Sequence, residues 1–289
     1  MALSPTVQAK LRAIDNLPTL PTIATQLLEL LGRMEVSMHE ISRLMELDPA
    51  ITAQILKVAN SAYYGLRISV DTVQRALVVL GVNEITNIIL SLSLFKSFPS
   101  STAAEFDQSV FWAHSGVVGF LCRTLANEFS IPAHGEEFTA GLMHDIGKIV
   151  IEQHFNRELQ EIAVEMSASG DAGWLVEKRI LQMDHADIGA YLGTRWEIPS
   201  NIREAILYHH EPAQATEDQR LTALVHLADM FAVGAGYQQK YDGWTPDVKT
   251  SPAWSLLGVD PADIDWPHLE AAVREQIERA SAFLSVALP

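Results

Sequence analysis

His114, His144, Asp145, His185, His209, His210 and Asp229 are the residues of this chain whose types and placement can do chemistry together. Imidazole nitrogens and carboxylate oxygens are ligands for hard and borderline divalent cations, so an all-N/O set suits Fe, Mn, Zn, Ni or Mg and calls for no organic cofactor. A thiolate metal cluster is excluded. The single cysteine, Cys122, sits in the apolar run Gly119-Phe-Leu-Cys-Arg-Thr-Leu125, so neither an intramolecular disulfide nor a thiolate cluster can form. Spacing alone does not decide the matter, because a His-Asp neighbour pair arises by chance and a buried histidine commonly serves only as a hydrogen-bonded core residue. The seven therefore form either a metal site or a polar core whose histidines and aspartates satisfy one another. The pair His209-His210 narrows the geometry. Neighbours on a helix point about 100° apart, so both reach one ion only near a helix end, and Pro212 sets such an end.

The elements that must position these groups are helical throughout. Apolar residues recur at spacings of three and four from residue 15 to 100, and no Asn-Gly hairpin joins alternating segments. Asp48 caps a helix that opens on Pro49, where a missing N–H does no harm, and Ile51, Ile55 and Val58 share its face. The stretch Asn60-Ser-Ala-Tyr-Tyr-Gly65 ends it; this is either a recognition loop or a helix stop with two packing tyrosines. A helix from Val73 to Gly81 follows, and Asn83 caps the next, which ends near Lys96. Residues 97–107 lose the periodicity and gather serine and proline, which marks either a boundary or a loop within one domain. Beyond it the pattern predicts helices over 108–128, 136–155, 156–168, 172–181, 184–195, 199–209 and 218–235, and a last one from Asp263 or Asp265 to Phe283. The expected fold is an all-α multi-helix bundle with an N-terminal helical part (1–100), a bundle bearing the candidate site (108–240) and a C-terminal helical extension (241–289). Facing helices of a bundle hold imidazoles and carboxylates at fixed distances, so the four or five helices that carry the seven residues can direct them into one interior.

Charge bounds the partners. The formal net charge is −16, which opposes the phosphate backbone, so duplex nucleic acid is an unsuitable partner. The start of the chain has no apolar leader, and the longest apolar stretch, Ile85 to Phe95, falls short of the roughly 20 residues a membrane span needs. A soluble, cytoplasmic protein is expected.

The motifs resemble those of the HDOD family, a signalling-associated branch of the HD metal-phosphohydrolase superfamily. The resemblance covers nearly all of 15–235 and rests on Leu17-Pro-Thr-Leu-Pro21, on Asp48-Pro-Ala-Ile-Thr-Ala-Gln-Ile-Leu-Lys-Val-Ala-Asn-Ser-Ala62, and on Ala76-Leu-Val-Val-Leu-Gly81. Trp112, Gly141-Leu-Met-His-Asp-Ile-Gly-Lys148, Asp184-His-Ala-Asp-Ile-Gly189, Trp196-Glu-Ile-Pro199 and His209-His-Glu-Pro212 continue it. The second half is also similar to the HD-GYP phosphodiesterases of cyclic di-GMP. That similarity implies one metal held by His114, His144, Asp145 and Asp229, with Asp145 bridging to a second held by His185, His209 and His210. It also implies that Lys148 faces the phosphate. Where those diesterases continue with a glycine-rich stretch ending Gly-Tyr-Pro, this chain reads Pro212-Ala-Gln-Ala-Thr-Glu-Asp-Gln-Arg220, and Gly236-Tyr237 is followed by Gln238. The departure argues against cyclic di-GMP as substrate.

HDOD proteins resemble regulatory or output modules of bacterial signalling, often beside receiver or cyclic-nucleotide-turnover domains. With no room for such a domain, the expectation is action through a protein partner or a small nucleotide ligand. The alternative is a metal-dependent phosphohydrolase or phosphodiesterase. An open pocket lined by Lys148 favours catalysis, and ligands sealed beneath helices favour a regulatory module. Among the remaining polar residues, Glu211 is expected to orient an imidazole and Asp187 to be solvated charge. His39, His134, His154, His226 and His268 are assigned no function, although His226 lies one turn before Asp229.

Overall fold

The computed structural model describes residues 51–98, 106–238 and 247–288 without interruption, and 9, 11, 12, 14, 17, 19–31, 38, 40–42, 49 and 50 before them. Every regular element among the described residues is helical, as the periodicity predicts. Asp48, His39 and residues 99–105 of the presumed boundary lie outside the described residues.

The N-terminal half contributes α1 (Thr22–Leu31), α2 (Pro49–Ala59), α3 (Val73–Leu80) and α4 (Val82–Ser97), with the first three laid against α4. Helix α4 begins directly after Gly81 rather than behind Asn83. The second half follows as α5 (Gln108–Glu128), α6 (Glu136–Met143), α7 (Gly147–His154), α8 (Asn156–Ser169), α9 (Gly173–Leu181), α10 (His185–Arg195), α11 (Ser200–Tyr208) and α12 (Gln219–Gly234). A short α13 (Ala253–Leu256) and a long α14 (Trp266–Ala287) close the chain. Asp265 is the residue that caps α14, accepting from His268 N, and the helix runs past Phe283. No single helix among the described residues is long and apolar enough to cross a membrane.

Two helices form the centre. Every residue of α12 from Leu221 to Val233 is buried, and α5 is buried on nearly all sides. Helices apolar all round belong inside a core, and any polar group they carry must find a partner there. α6 and α14 lie on α5, α11 lies on α12, and α10 rests between α7 and α11. α8 and α9 pair with each other at the outside. The N-terminal half is tied to this centre through the Asn60–Gly65 stretch. The Asn60 side chain bonds both backbone groups of Val70, Tyr64 donates to Glu84 at 2.7 Å, and Arg123 on α5 reaches Tyr63 and Glu84. Tyr63 also packs its ring on Phe120 and Phe283. Both tyrosines are thus committed to packing, and the helix-stop reading of this motif is the one the structure supports.

The segment read as one helix over 136–155 is two. Between α6 and α7 the backbone tightens: Ile146 N donates to Met143 O and Lys148 N to Asp145 O, both i to i−3 bonds. The turn occupies His144 and Asp145, so the two side chains are aimed from a corner rather than from a helical face. Gly147 follows at once because α10 passes against it. A Cβ there would stand 2.0 Å from the carbonyl oxygen of His185. Overpacking costs about 1–3 kcal/mol where side chains can yield, and this contact is with backbone. Gly147→Ala is therefore expected to destabilise the protein by at least the upper end of that range, read as a shifted urea midpoint.

Candidate metal centre

The seven residues come from five places in the fold and meet in one interior. His114 projects from α5, His144 and Asp145 from the corner after α6, His185 from the first position of α10, His209 and His210 from just past α11, and Asp229 from α12. All but His210 are buried.

The ring nitrogens are oriented before any ion is considered. His114 Nδ1 donates to the carbonyl of Tyr237, His144 Nδ1 to Gly141 O and His209 Nδ1 to Ile206 O, each at 2.7 Å. A carbonyl only accepts, so these nitrogens carry the protons and each Nε2 is left with its lone pair facing inward. The Tyr237 carbonyl is itself placed by the end of α12. There Gly236, at φ +90°, allows Tyr237 N to reach back to Ala232 O and Gly236 N to Val233 O, the paired bonds of a Schellman turn.

The inward atoms form two sets joined by one carboxylate. In the first, His114 Nε2 lies 3.2 Å from His144 Nε2, 3.3 Å from Asp229 Oδ1 and 3.4 Å from Asp145 Oδ2, and His144 Nε2 lies 3.4 Å from the same Oδ2. In the second, His185 Nε2 lies 2.9 Å from His210 Nε2, 3.3 Å from His209 Nε2 and 3.1 Å from Asp145 Oδ1. Ligands about 2.0–2.1 Å from one cation stand about 2.9 Å apart at a right angle and about 3.4 Å apart at the tetrahedral angle. These separations fall in that interval, while His144 Nε2 to Asp229 Oδ1 at 3.9 Å and His209 Nε2 to Asp145 Oδ1 at 3.8 Å are wider, as for ligands at an obtuse angle about one cation. Lone pairs as close as the first group repel unless a cation or a proton lies between them. The donor set therefore fits a divalent metal in each half, with the two oxygens of Asp145 divided between them.

The electrostatics show what balances the charge otherwise. Burial resists protonation of His114, but Asp229 and Asp145 outweigh it and raise its pKa. Burial likewise opposes a charge on His185, yet Glu177 and Asp145 lift it to about 10. His209, fully buried, and His210, partly buried under Trp174, are both shielded from water beside other imidazoles and are held well below the ordinary histidine value. Asp145 and Asp229 are kept ionised despite burial, chiefly by His144 for the first and His114 for the second. Each set thus has one histidine whose protonated form the neighbouring carboxylates favour.

Glu177, which sequence reasoning missed, is the carboxylate against His185. It is 1% exposed, and its Oε2 accepts from both the Nδ1 and the backbone N of His185 at 2.7 Å. The signal was an acidic residue among the buried positions Val176 and Leu181 of α9, where an apolar one is expected. Glu211 does not take the orienting role expected of it. Its carboxylate is half exposed and lies 3.9 Å from Lys178. Asp187 is not idle charge either, since it closes a capping box with Asp184 at the start of α10. His226 anchors the corner after α11 by donating from Nδ1 to His209 O at 2.7 Å.

Lys148 is buried, with Nζ 2.8 Å from Asp145 Oδ2. It lines a narrow cleft that reaches both sets, bordered by Asp145, Trp174, His185, His210 and Asp229; the volume is about 30 Å³. Trp174 lies flat on His210, its ring centre 5.1 Å away.

The HDOD domain model matches residues 17–212 of this sequence. The chain belongs to the HDOD family. An uncharacterized Treponema pallidum protein is 23% identical over 219 residues, 75% of this HDOD chain and 42% of that protein, so the chain spans well under half the length of this relative. The fold is shared with an HDOD domain protein of unknown function from Geobacter sulfurreducens, at a TM-score of 0.83 with 22% identity over 97% of this chain and 96% of that one. A Shewanella amazonensis protein described as a candidate phosphohydrolase superposes with a TM-score of 0.77 at 22% identity, over 98% of both chains. At these identities the likeness to the two solved structures is one of HDOD fold.

Proposed function

We propose that this HDOD chain is a regulatory module of bacterial signalling that holds two divalent metal ions and acts through a protein partner or a small ligand. The observation that carries the reading is the division of Asp145 between two ligand sets whose separations suit a cation in each. His114, His144, Asp145 and Asp229 would hold one ion, and Asp145, His185, His209 and His210 the other, drawn from Fe, Mn, Zn, Ni or Mg. The narrow cleft supports regulation over turnover. A cavity of about 30 Å³ takes one or two water-sized occupants, and a nucleotide has no seat there with Trp174 closed on His210.

A second reading, a metal-dependent phosphohydrolase, draws on Lys148. Two divalent ions would act as Lewis acids toward a phosphate oxygen and lower the pKa of water in the cleft. Lys148 would add positive charge at the rim, where it borders the cleft, and Trp174 would have to swing away to admit the ester.

Metal content by mass spectrometry, on protein purified without chelator or metal-affinity tag, tests both readings when paired with bis(p-nitrophenyl) phosphate as a probe ester. About two equivalents of metal with no hydrolysis supports the regulatory module. Metal-dependent hydrolysis that falls at least tenfold in Lys148→Ala transfers the conclusion to the enzyme. A folded protein without metal removes both.

A further inference from the structure

The two ligand sets differ in a way their ligands alone do not express. The first contains two carboxylates, Asp145 and Asp229, and its imidazoles lean on neutral carbonyls. The second contains three imidazoles and only the shared Asp145. Glu177 stands behind it, on α9, and its Oε2 takes both the ring Nδ1–H and the backbone N–H of His185. That backbone N–H is one of the orphan donors of the α10 N-terminus, which favours a negative partner. A carboxylate behind a ligating imidazole fixes the ring's orientation and makes its far nitrogen a stronger donor.

Helix α9 presents this carboxylate as part of one contiguous face. Glu177 and Lys178 stand three and four positions after Trp174; Trp174 and Glu177 touch the second set, and Lys178 touches the cap of α10 beside it. Trp174 stacks on His210, Glu177 bonds His185, and Lys178 reaches Asp184, the cap of α10, at 3.1 Å. No comparable element with a charged side chain backs His114 or His144 among the described residues.

We propose that Glu177 is the positioning residue of the second metal site, supplying from α9 a negative charge beyond the shared Asp145 that orients His185 and strengthens the site's hold on its ion. The proposal rests on the two-ion reading above. It makes the two sites unequal by construction: the first is complete in itself, and the second depends on a helix that contributes no ligand to it.

The test is metal titration of the full chain with Mn²⁺, comparing the wild type with Glu177→Gln and Glu177→Ala. Glutamine keeps an oxygen that can accept both His185 hydrogens and removes only the charge. Binding by calorimetry is read together with the electron paramagnetic resonance signature that distinguishes two coupled Mn²⁺ ions from one. The expected result is an unchanged first equivalent and a second weakened by about 10–100-fold in both variants, with the coupled signal replaced by a single-ion spectrum. Circular dichroism of the metal-free proteins serves as the control for folding. A Glu177→Gln variant that binds two coupled ions with wild-type affinity overturns the role of the charge and leaves the two-ion reading standing. A wild type that binds no Mn²⁺, nor any of the other four metals, overturns both.

Discussion

Asp145→Ala is expected to empty the protein of metal, taking it from about two equivalents to none, whereas Asp229→Ala is expected to leave one. Asp145 is the only one of the seven residues within 3.4 Å of ligand atoms in both sets, through Oδ2 in the first and Oδ1 in the second. Its loss leaves each half without a carboxylate it needs to neutralise a dication, while loss of Asp229 touches the first half alone. The substitution has a second consequence in the metal-free protein. The buried Lys148 ammonium loses the carboxylate 2.8 Å away, and removing one partner of a buried pair costs about 3–5 kcal/mol. Urea denaturation of chelator-treated protein should show that loss, and Asp145→Ala combined with Lys148→Met should recover part of it. If Asp145→Ala instead retains one tightly held ion, the carboxylate does not bridge.

Metal binding is expected to expel protons, and its affinity to rise about tenfold for each pH unit between pH 7 and pH 10. His185 is held protonated up to about pH 10 by Glu177 and Asp145 against the cost of burial, and a cation must displace that proton. His114, also raised, adds a second proton wherever the pH lies below its shifted value. Isothermal titration in buffers of differing ionisation enthalpy counts the protons released.

The stability of the metal-free protein must follow the opposite sign on the alkaline side. A group whose pKa is raised on folding stabilises the native state below its unfolded value, and that contribution is lost as the pH rises through the folded value. For His185 this sets the window from about 6.5 to about 10. His209 and His210 act on the acid side. Their depressed values mean that the unfolded chain takes up protons first, so stability falls as the pH drops below about 6.5. The metal-free protein should therefore be most stable near that pH, while metal uptake keeps improving above it. Melting temperatures across pH 5–10, with and without metal, separate the two trends.

The all-α character, the positions of most helices and HDOD membership were legible in the sequence, because each rests on local information. Apolar periodicity over ten or more residues, a cap such as Asp265, and the ordered motifs depend on neighbours within a few positions. The identity of the seven inward residues was also open to reading, since histidines and aspartates at helix ends stand out from an apolar background. The corner at His144 and Asp145 was not. Periodicity continues through it from α6 into α7, and the close approach of α10 to Gly147 at this turn involves residues from His185 onward, far along the chain.

Glu177, the Tyr237 carbonyl and His226 escaped for the same reason: each acts on a residue 8, 123 or 17 positions away, through a contact that exists only once the helices have packed. Glu211, expected to orient an imidazole, is instead half exposed, with its carboxylate 3.9 Å from Lys178. The sequence by itself determined which chemical groups were available and which helices would carry them. Tertiary packing decided how the groups divide into two sets about Asp145, which carboxylate stands behind His185, and how little room Trp174 leaves above them. Those are distances between elements, set by side-chain volumes in the core, and no local pattern encodes them.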